Sequence, residues 1–129
     1  ARRNVDRHHV GERVRLMVGD VLTPRPGLAD LIVSNPPYVP TGKCASLPDS
    51  VRNHEPGIAL DGGPDGLDVV RRLLREAPAV LRPGGALLIE IGADQTQAAS
   101  YLAHTFFPRA VVRVHPDLAG RDRVLEVQT

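Results

Sequence analysis

Asp30-Leu31-Ile32-Val33-Ser34-Asn35-Pro36-Pro37-Tyr38 is the stretch that decides how this chain is read. Residues 30–34 form a continuous apolar run, the pattern of a parallel strand covered on both faces. The run then stops at two prolines. Proline has no amide hydrogen and a locked φ, so neither residue continues a ladder. Pro37 also confines Pro36 to an extended backbone, which gives the Pro36 carbonyl a nearly fixed direction.

Those residue types suit a planar NH2 group. An amide or exocyclic amine nitrogen is a poor nucleophile, because its lone pair is delocalised. A catalyst must orient it and stabilise the charge that develops as it reacts. Asn35 offers a side-chain oxygen to one N–H, and Pro36 offers its carbonyl to the other. Tyr38 stacks on the flat group. No general base stands in the motif, and none is required if the proton leaves after the new bond forms. Asn35, Pro36 and Tyr38 are therefore the catalytic candidates, and Asn35, Pro36, Pro37 and Tyr38 the substrate-binding set.

Working outward, Arg13–Val18 alternates polar and apolar before Gly19-Asp20 and reads as a strand ending in a turn. Residues 39–63 carry several Pro and Gly and little periodicity. A loop of that length is unusual in a compact domain and often functional, here as a wall of the pocket. Leu67, Val70, Leu74, Ala77 and Leu81 follow helical spacing, which predicts a helix from Asp65 to about Ala77, capped by Asp65 and ended by Pro78. Pro83-Gly84-Gly85 turns into a strand over 86–91. Asp94 and Gln97 have capping-box spacing and open a helix to about His104. Strands over 109–115 and 121–127 are close enough in sequence to pair antiparallel. Strands alternating with helices give an α/β fold with a mostly parallel sheet and a C-terminal antiparallel pair. Ligands of such sheets bind at carboxyl strand ends, where Asp20, Asn35, Glu90 and Gly92 fall.

Length and composition bound the rest. The 129 residues suit one small domain, and aromatics are only 3%, so aliphatic side chains must build the core. A formal net charge of +1 gives no argument for nucleic-acid binding. Cys44 is the one cysteine, which excludes an internal disulfide and suits a reducing cytoplasm. No apolar run approaches the ~20 residues of a membrane span, and no signal peptide is present. Ala1-Arg2-Arg3-Asn4 reads as the last turn of a helix already under way, as in part of a longer protein. No feature specifies an oligomeric state.

The motif Asp30–Tyr38 resembles motif IV of S-adenosylmethionine-dependent amino-methyltransferases. Protein glutamine and DNA adenine both present a planar NH2, so this motif alone leaves both open. Further segments resemble the protein-(glutamine-N5) methyltransferases of the HemK/PrmC type, in the right order along essentially the whole chain. They are 51–56 (VRNHEP), 59–67 (ALDGGPDGL), 81–85 (LRPGG), 89–92 (IEIG) with Gln95, and 117–123 (DLAGRDR). The resemblance implies a Rossmann-like methyltransferase fold and S-adenosylmethionine as cofactor. It implies methylation of the glutamine in the Gly-Gly-Gln loop of peptide chain release factors. Asn35–Tyr38 match the glutamine-binding motif, and Asn35, Asp20 and Val21 match positions bordering the cofactor. The rivals are an adenine-N6 DNA methyltransferase and a fragment that docks the release factor without catalysis. Neutral charge counts against the first, since backbone binding needs a basic surface.

One departure from the family is large. Its Gly-rich cofactor loop, acidic ribose ligand and N-terminal helical domain have no counterpart in this sequence; residues 62–66 follow no strand and match a different segment. Residues 1–129 therefore read as the C-terminal portion of a catalytic domain, inactive alone. In the family's sheet order two further strands separate 13–18 from 30–34. Their absence leaves unpaired backbone, to be filled by the parent protein or a partner chain, or avoided by packing the first strand elsewhere. Other polar residues read as structural. Adjacent His54 and Glu55 rarely give convergent metal ligands, Cys44 lacks an orienting acid, and His8 and His9 sit on a solvated helix end. Glu90 reads as a partner for an arginine or a backbone donor, and Arg121 and Arg123 as groups serving fold or solubility.

Overall fold

The computed structural model describes residues 1–24 and 27–129. In chain order they form α1 (Arg2–Arg7), β1 (Ala29–Ser34), α2 (Thr41–Cys44), α3 (Asp49–Arg52), α4 (Asp68–Glu76), β2 (Leu81–Glu90), α5 (Thr96–Phe106), β3 (Val111–Pro116) and β4 (Asp122–Gln128). Single 3-10 turns lie at Gly57–Ala59 and Ala77–Ala79. The sheet order is β1-β2-β4-β3. β1 and β2 are parallel, and β4 runs antiparallel to both β2 and β3. The fold is thus α/β with a mixed sheet, and the expected C-terminal antiparallel pair is present.

The helical stripe forms the core as read. Leu67, Val70, Leu74 and Ala77 are buried, joined by Leu73. They pack with Ile32, Leu87, Ile89, Leu125 and Val127 on one face of the sheet. Each fully buried aliphatic side chain of this kind contributes about 1.5–3 kcal/mol. In α5 the buried positions are Ala99 and Ala103, small enough to let that helix lie close on α4, β3 and β4.

Several expectations are corrected. Arg13–Val18 forms no strand: residues 14–19 have no ladder partner, and Val18 is 98% exposed. Its alternation supplies a face but no neighbour, and a strand holds only when its amides are paired. β1 is not covered on both faces. Ile32 faces the core, but Leu31 is 54% and Val33 69% exposed on the opposite face. Among the described residues the helices cover one side of the sheet, and β1 is an edge strand. Pro83-Gly84-Gly85 is not a separate turn before a strand. β2 already begins at Leu81, and these residues bulge out of it between the Ala29–Leu81 and Leu31–Ala86 pairs. Asp65 does not cap α4, which starts three residues later. Its Oδ1 instead accepts from the Leu67 amide at 3.1 Å, while Arg71 grips the same carboxylate. Asp94 does not cap α5 either. The helix starts at Thr96, and Asp94 pairs with Lys43 at 3.1 Å.

Among the described residues no helix is long and apolar enough to cross a membrane.

Candidate active site

Asn35 leaves β1 at its carboxyl end, beside the end of β2, because Ser34 pairs with Ile89. From there the Asn35–Tyr38 loop is braced from behind by backbone rather than by its own residues. The Val39 amide donates to the Leu60 carbonyl at 3.0 Å, and the Gly62 amide donates back to the Val39 carbonyl at 2.9 Å. Gly62 also ties the loop to α4, since its carbonyl accepts from the Asp68 amide at 2.9 Å.

A single buried amide completes the brace. Gln95 is 6% exposed. Its Nε2 donates to the Tyr38 carbonyl at 2.9 Å and to the Asp65 carbonyl at 3.2 Å. Its Oε1 accepts from the Gly92 amide at 2.8 Å. One side chain therefore links the motif, the approach to α4 and the end of β2. No buried polar atom of it is left unpaired, as a buried amide requires.

The front of the loop is open. Pro36 is buried, whereas Asn35 is exposed. Among the described residues neither the Asn35 side chain nor the Pro36 carbonyl has a hydrogen-bond partner. Asn35, Pro36 and Tyr38 line one cleft of about 530 Å³, whose remaining wall includes Leu47, Val51 and Leu60 from the 39–63 segment. That segment, read as irregular, contains α2, α3 and a 3-10 turn. Its ends are drawn together by Asp61, which accepts from Thr41 Oγ1 at 2.7 Å and from the Gly63 amide at 2.9 Å. The Thr41 hydroxyl, with that amide, holds the Asp61 carboxyl below its usual range.

The Tyr38 ring is half-buried, and its hydroxyl donates to Glu90 Oε1 at 3.0 Å. Glu90 is thus a partner of neither an arginine nor a backbone amide, as the sequence reading had it, but of the motif itself. Burial first, and then the Glu90 carboxylate, push the Tyr38 phenol above its ordinary value of 10.0. The folded value lies above the unfolded one. The associated stability is therefore complete below about pH 10 and is lost as pH rises through the folded value. A difference titration of the phenolate band between the protein and its Tyr38→Phe variant is expected to give a midpoint above 10.

The remaining candidates lie elsewhere. Asp20 sits in a tight turn with Thr23, and its Oδ2 accepts from Arg72 at 2.6 Å. Val21 is half-buried against the core and lines a small cleft with Met17 and Leu22, not the Asn35 cleft. His54 Nδ1 lies 3.1 Å from the Ser50 carbonyl, and Glu55 reaches the wall of the Asn35 cleft. The Cys44 thiol faces the Pro40 carbonyl at 3.6 Å. Arg123 donates to the Ile91 carbonyl at 3.2 Å, and with Arg121 it flanks Asp117. Sequence reasoning on single residues missed the roles of Glu90 and Gln95. Their signal was polar side chains at the mouth of an otherwise apolar strand.

No family model matches the chain. Curated relatives do. A release factor glutamine methyltransferase of Moorella thermoacetica is 50% identical over 124 residues, 95% of this chain and 44% of that protein. Its counterpart in Thermosynechococcus vestitus is 44% identical over 129 residues, 98% of this chain and 44% of that protein. A ribosomal protein uL3 glutamine methyltransferase of Bradyrhizobium diazoefficiens is 53% identical over 93 residues, 71% of this chain and 29% of that protein. Among solved structures, a release factor-specific protein-(glutamine-N5) methyltransferase from Alicyclobacillus acidocaldarius superposes with a TM-score of 0.54 at 29% identity. It is matched over 83% of this chain and 52% of its own. A Pyrococcus furiosus methyltransferase shares the fold, with a TM-score of 0.67 at 20% identity over 99% of this chain and 55% of its own. The chain therefore matches, along nearly all of its own length, a little under half of a protein of the release factor glutamine methyltransferase family.

Proposed function

We propose that residues 1–129 are the C-terminal portion of the catalytic domain of a protein-glutamine N-methyltransferase. In this reading the whole protein transfers a methyl group from S-adenosylmethionine to the glutamine of the Gly-Gly-Gln loop in peptide chain release factors. The observation that carries it is the Asn35 cleft. Asn35, Pro36 and Tyr38 line it together, and among the described residues neither the Asn35 side chain nor the Pro36 carbonyl has a hydrogen-bond partner.

The chain's own residues grip and orient the substrate. Asn35 Oδ1 accepts one N–H of the glutamine amide, the Pro36 carbonyl accepts the other, and Tyr38 covers the plane. Two acceptors on one nitrogen fix the plane of the group and draw its lone pair toward the open side of the cleft. They also stabilise the positive charge that grows on nitrogen as it is alkylated, because acceptors placed before reaction cost no reorganisation. Leu47, Val51 and Leu60 give the same space an apolar wall. S-adenosylmethionine, when bound, supplies an electrophilic methyl group. Asn35, Asp20 and Val21 are the residues of this chain that would hold that cofactor; here the Asp20 carboxylate pairs with Arg72 and Val21 lines a cleft with Met17 and Leu22.

A second reading keeps the chemistry and changes the partner. The uL3-directed relative has 53% identity over the 93 residues it shares with this chain, so a ribosomal protein glutamine is the alternative substrate. Transfer of labelled methyl by the full-length protein to a release factor, to uL3 and to duplex DNA decides among the substrates. Label in the release factor alone is expected. Label in uL3 alone selects the second reading, and label in DNA alone overturns glutamine chemistry.

A further inference from the structure

Resting on that functional reading, we propose that Glu90 is a positioning residue, which fixes the place of the Tyr38 ring beside the substrate amide through the Tyr38 hydroxyl. Tyr38 is held at both ends from the same strand terminus. Gln95 takes its carbonyl at 2.9 Å, and Glu90 takes its hydroxyl at 3.0 Å. A ring anchored only through its backbone keeps two free side-chain torsions. Tying the hydroxyl to a second point stops the swing about χ1 and so fixes where the ring lies; rotation about χ2 leaves the oxygen in place, because that axis runs through it.

The anchor itself is fixed. Glu90 closes β2 and pairs in register with Val124, between the parallel strand β1 and the antiparallel strand β4. Its backbone therefore moves only with the sheet. Arg123, on the neighbouring strand, lies close enough to the Tyr38 hydroxyl to offset part of the rise that burial and Glu90 cause, while its Nη1 is held by the Ile91 carbonyl at 3.2 Å. The rise of the phenol's pKa is consistent with a hydroxyl that stays protonated and donating across neutral pH. Nothing in this arrangement places Glu90 against the reacting nitrogen; it acts through the ring.

Steady-state kinetics of the full-length protein with a Gly-Gly-Gln peptide of a release factor test the inference, using Glu90→Leu, Glu90→Gln, Tyr38→Phe and the double variant Glu90→Leu/Tyr38→Phe. Losing one charge-assisted hydrogen bond that orients a reactant is expected to cost roughly 10- to 100-fold in kcat/KM. Glu90→Leu and Tyr38→Phe should fall by similar factors, and the double variant no further than either, because both remove the same tether. Glu90→Gln, whose side-chain oxygen still accepts from the hydroxyl, should recover most of the activity. KM for the methyl donor should stay within about twofold, since neither residue is assigned to that side of the site. Losses that multiply in the double variant, or a Glu90→Gln as impaired as Glu90→Leu, overturn the inference. Wild-type protein that transfers no methyl to any glutamine overturns the functional reading instead. The same four variants then report through calorimetric affinity for the peptide, where a non-additive pattern supports the tether and an additive one removes it.

Discussion

Replacing Asn35 by alanine in the full-length protein is expected to lower methylation of the release factor by on the order of 10³-fold, the scale of removing one preorganised group aimed at developing charge. The effect should appear in kcat more than in KM, because the second acceptor on nitrogen matters most once positive charge has grown there. The fold should be untouched. Asn35 is exposed, and among the described residues its side chain bonds to nothing, so truncation strands no buried partner. Unchanged urea midpoints beside a collapsed rate would meet the expectation. Near-normal turnover would remove Asn35 from the chemistry and, with it, the reason for two acceptors at this strand end.

Gly66→Ala is expected to be the most disruptive exchange of a single hydrogen for a methyl group. Gly66 has φ +77°, where an alanine costs roughly 1–2 kcal/mol on backbone grounds. A Cβ there would also overlap the Tyr38 carbonyl oxygen and Gln95 Nε2, the two atoms that join motif to brace. Forcing them apart leaves a buried donor and acceptor unsatisfied, worth about 1–3 kcal/mol more. The expected total is about 2–5 kcal/mol in urea denaturation. Gly84→Ala is the internal control. Its φ is +78°, but a Cβ there meets nothing within 4 Å. It should show the backbone cost alone, so the gap between the two variants measures the clash. Equal losses would mean that the brace behind Tyr38 yields easily.

Much of the architecture was legible in local pattern. The stripe Leu67–Val70–Leu74–Ala77 gives its own period, and the helix it specifies buries those residues. The alternation around Leu125 and Val127 gives a half-buried strand, and its short link to 111–116 gives antiparallel pairing. Helix starts were less legible. Asp65 and Asp94 each have capping chemistry at the right spacing, yet each carboxylate is taken by a cation, Arg71 and Lys43. An acidic side chain near a helix start accepts from whichever donor the tertiary fold brings first. The segment 13–18 failed for a related reason. Its polar–apolar alternation is a property of one segment, but a ladder is a property of two strands, and among the described residues no second strand pairs with it.

The sequence alone determined the chemistry on offer: an apolar strand stopped by two prolines, with an amide and a ring on either side, because proline's locked backbone acts within three residues and needs no distant contact. Only the tertiary structure decided how that chemistry is held. Glu90 lies 52 residues from Tyr38 and Gln95 lies 57 from it, and both meet the motif because parallel pairing of β1 with β2 brings their carboxyl ends together. A hydrogen bond reaches about 3 Å in space and is indifferent to separation along the chain, so the brace leaves no local signature to read.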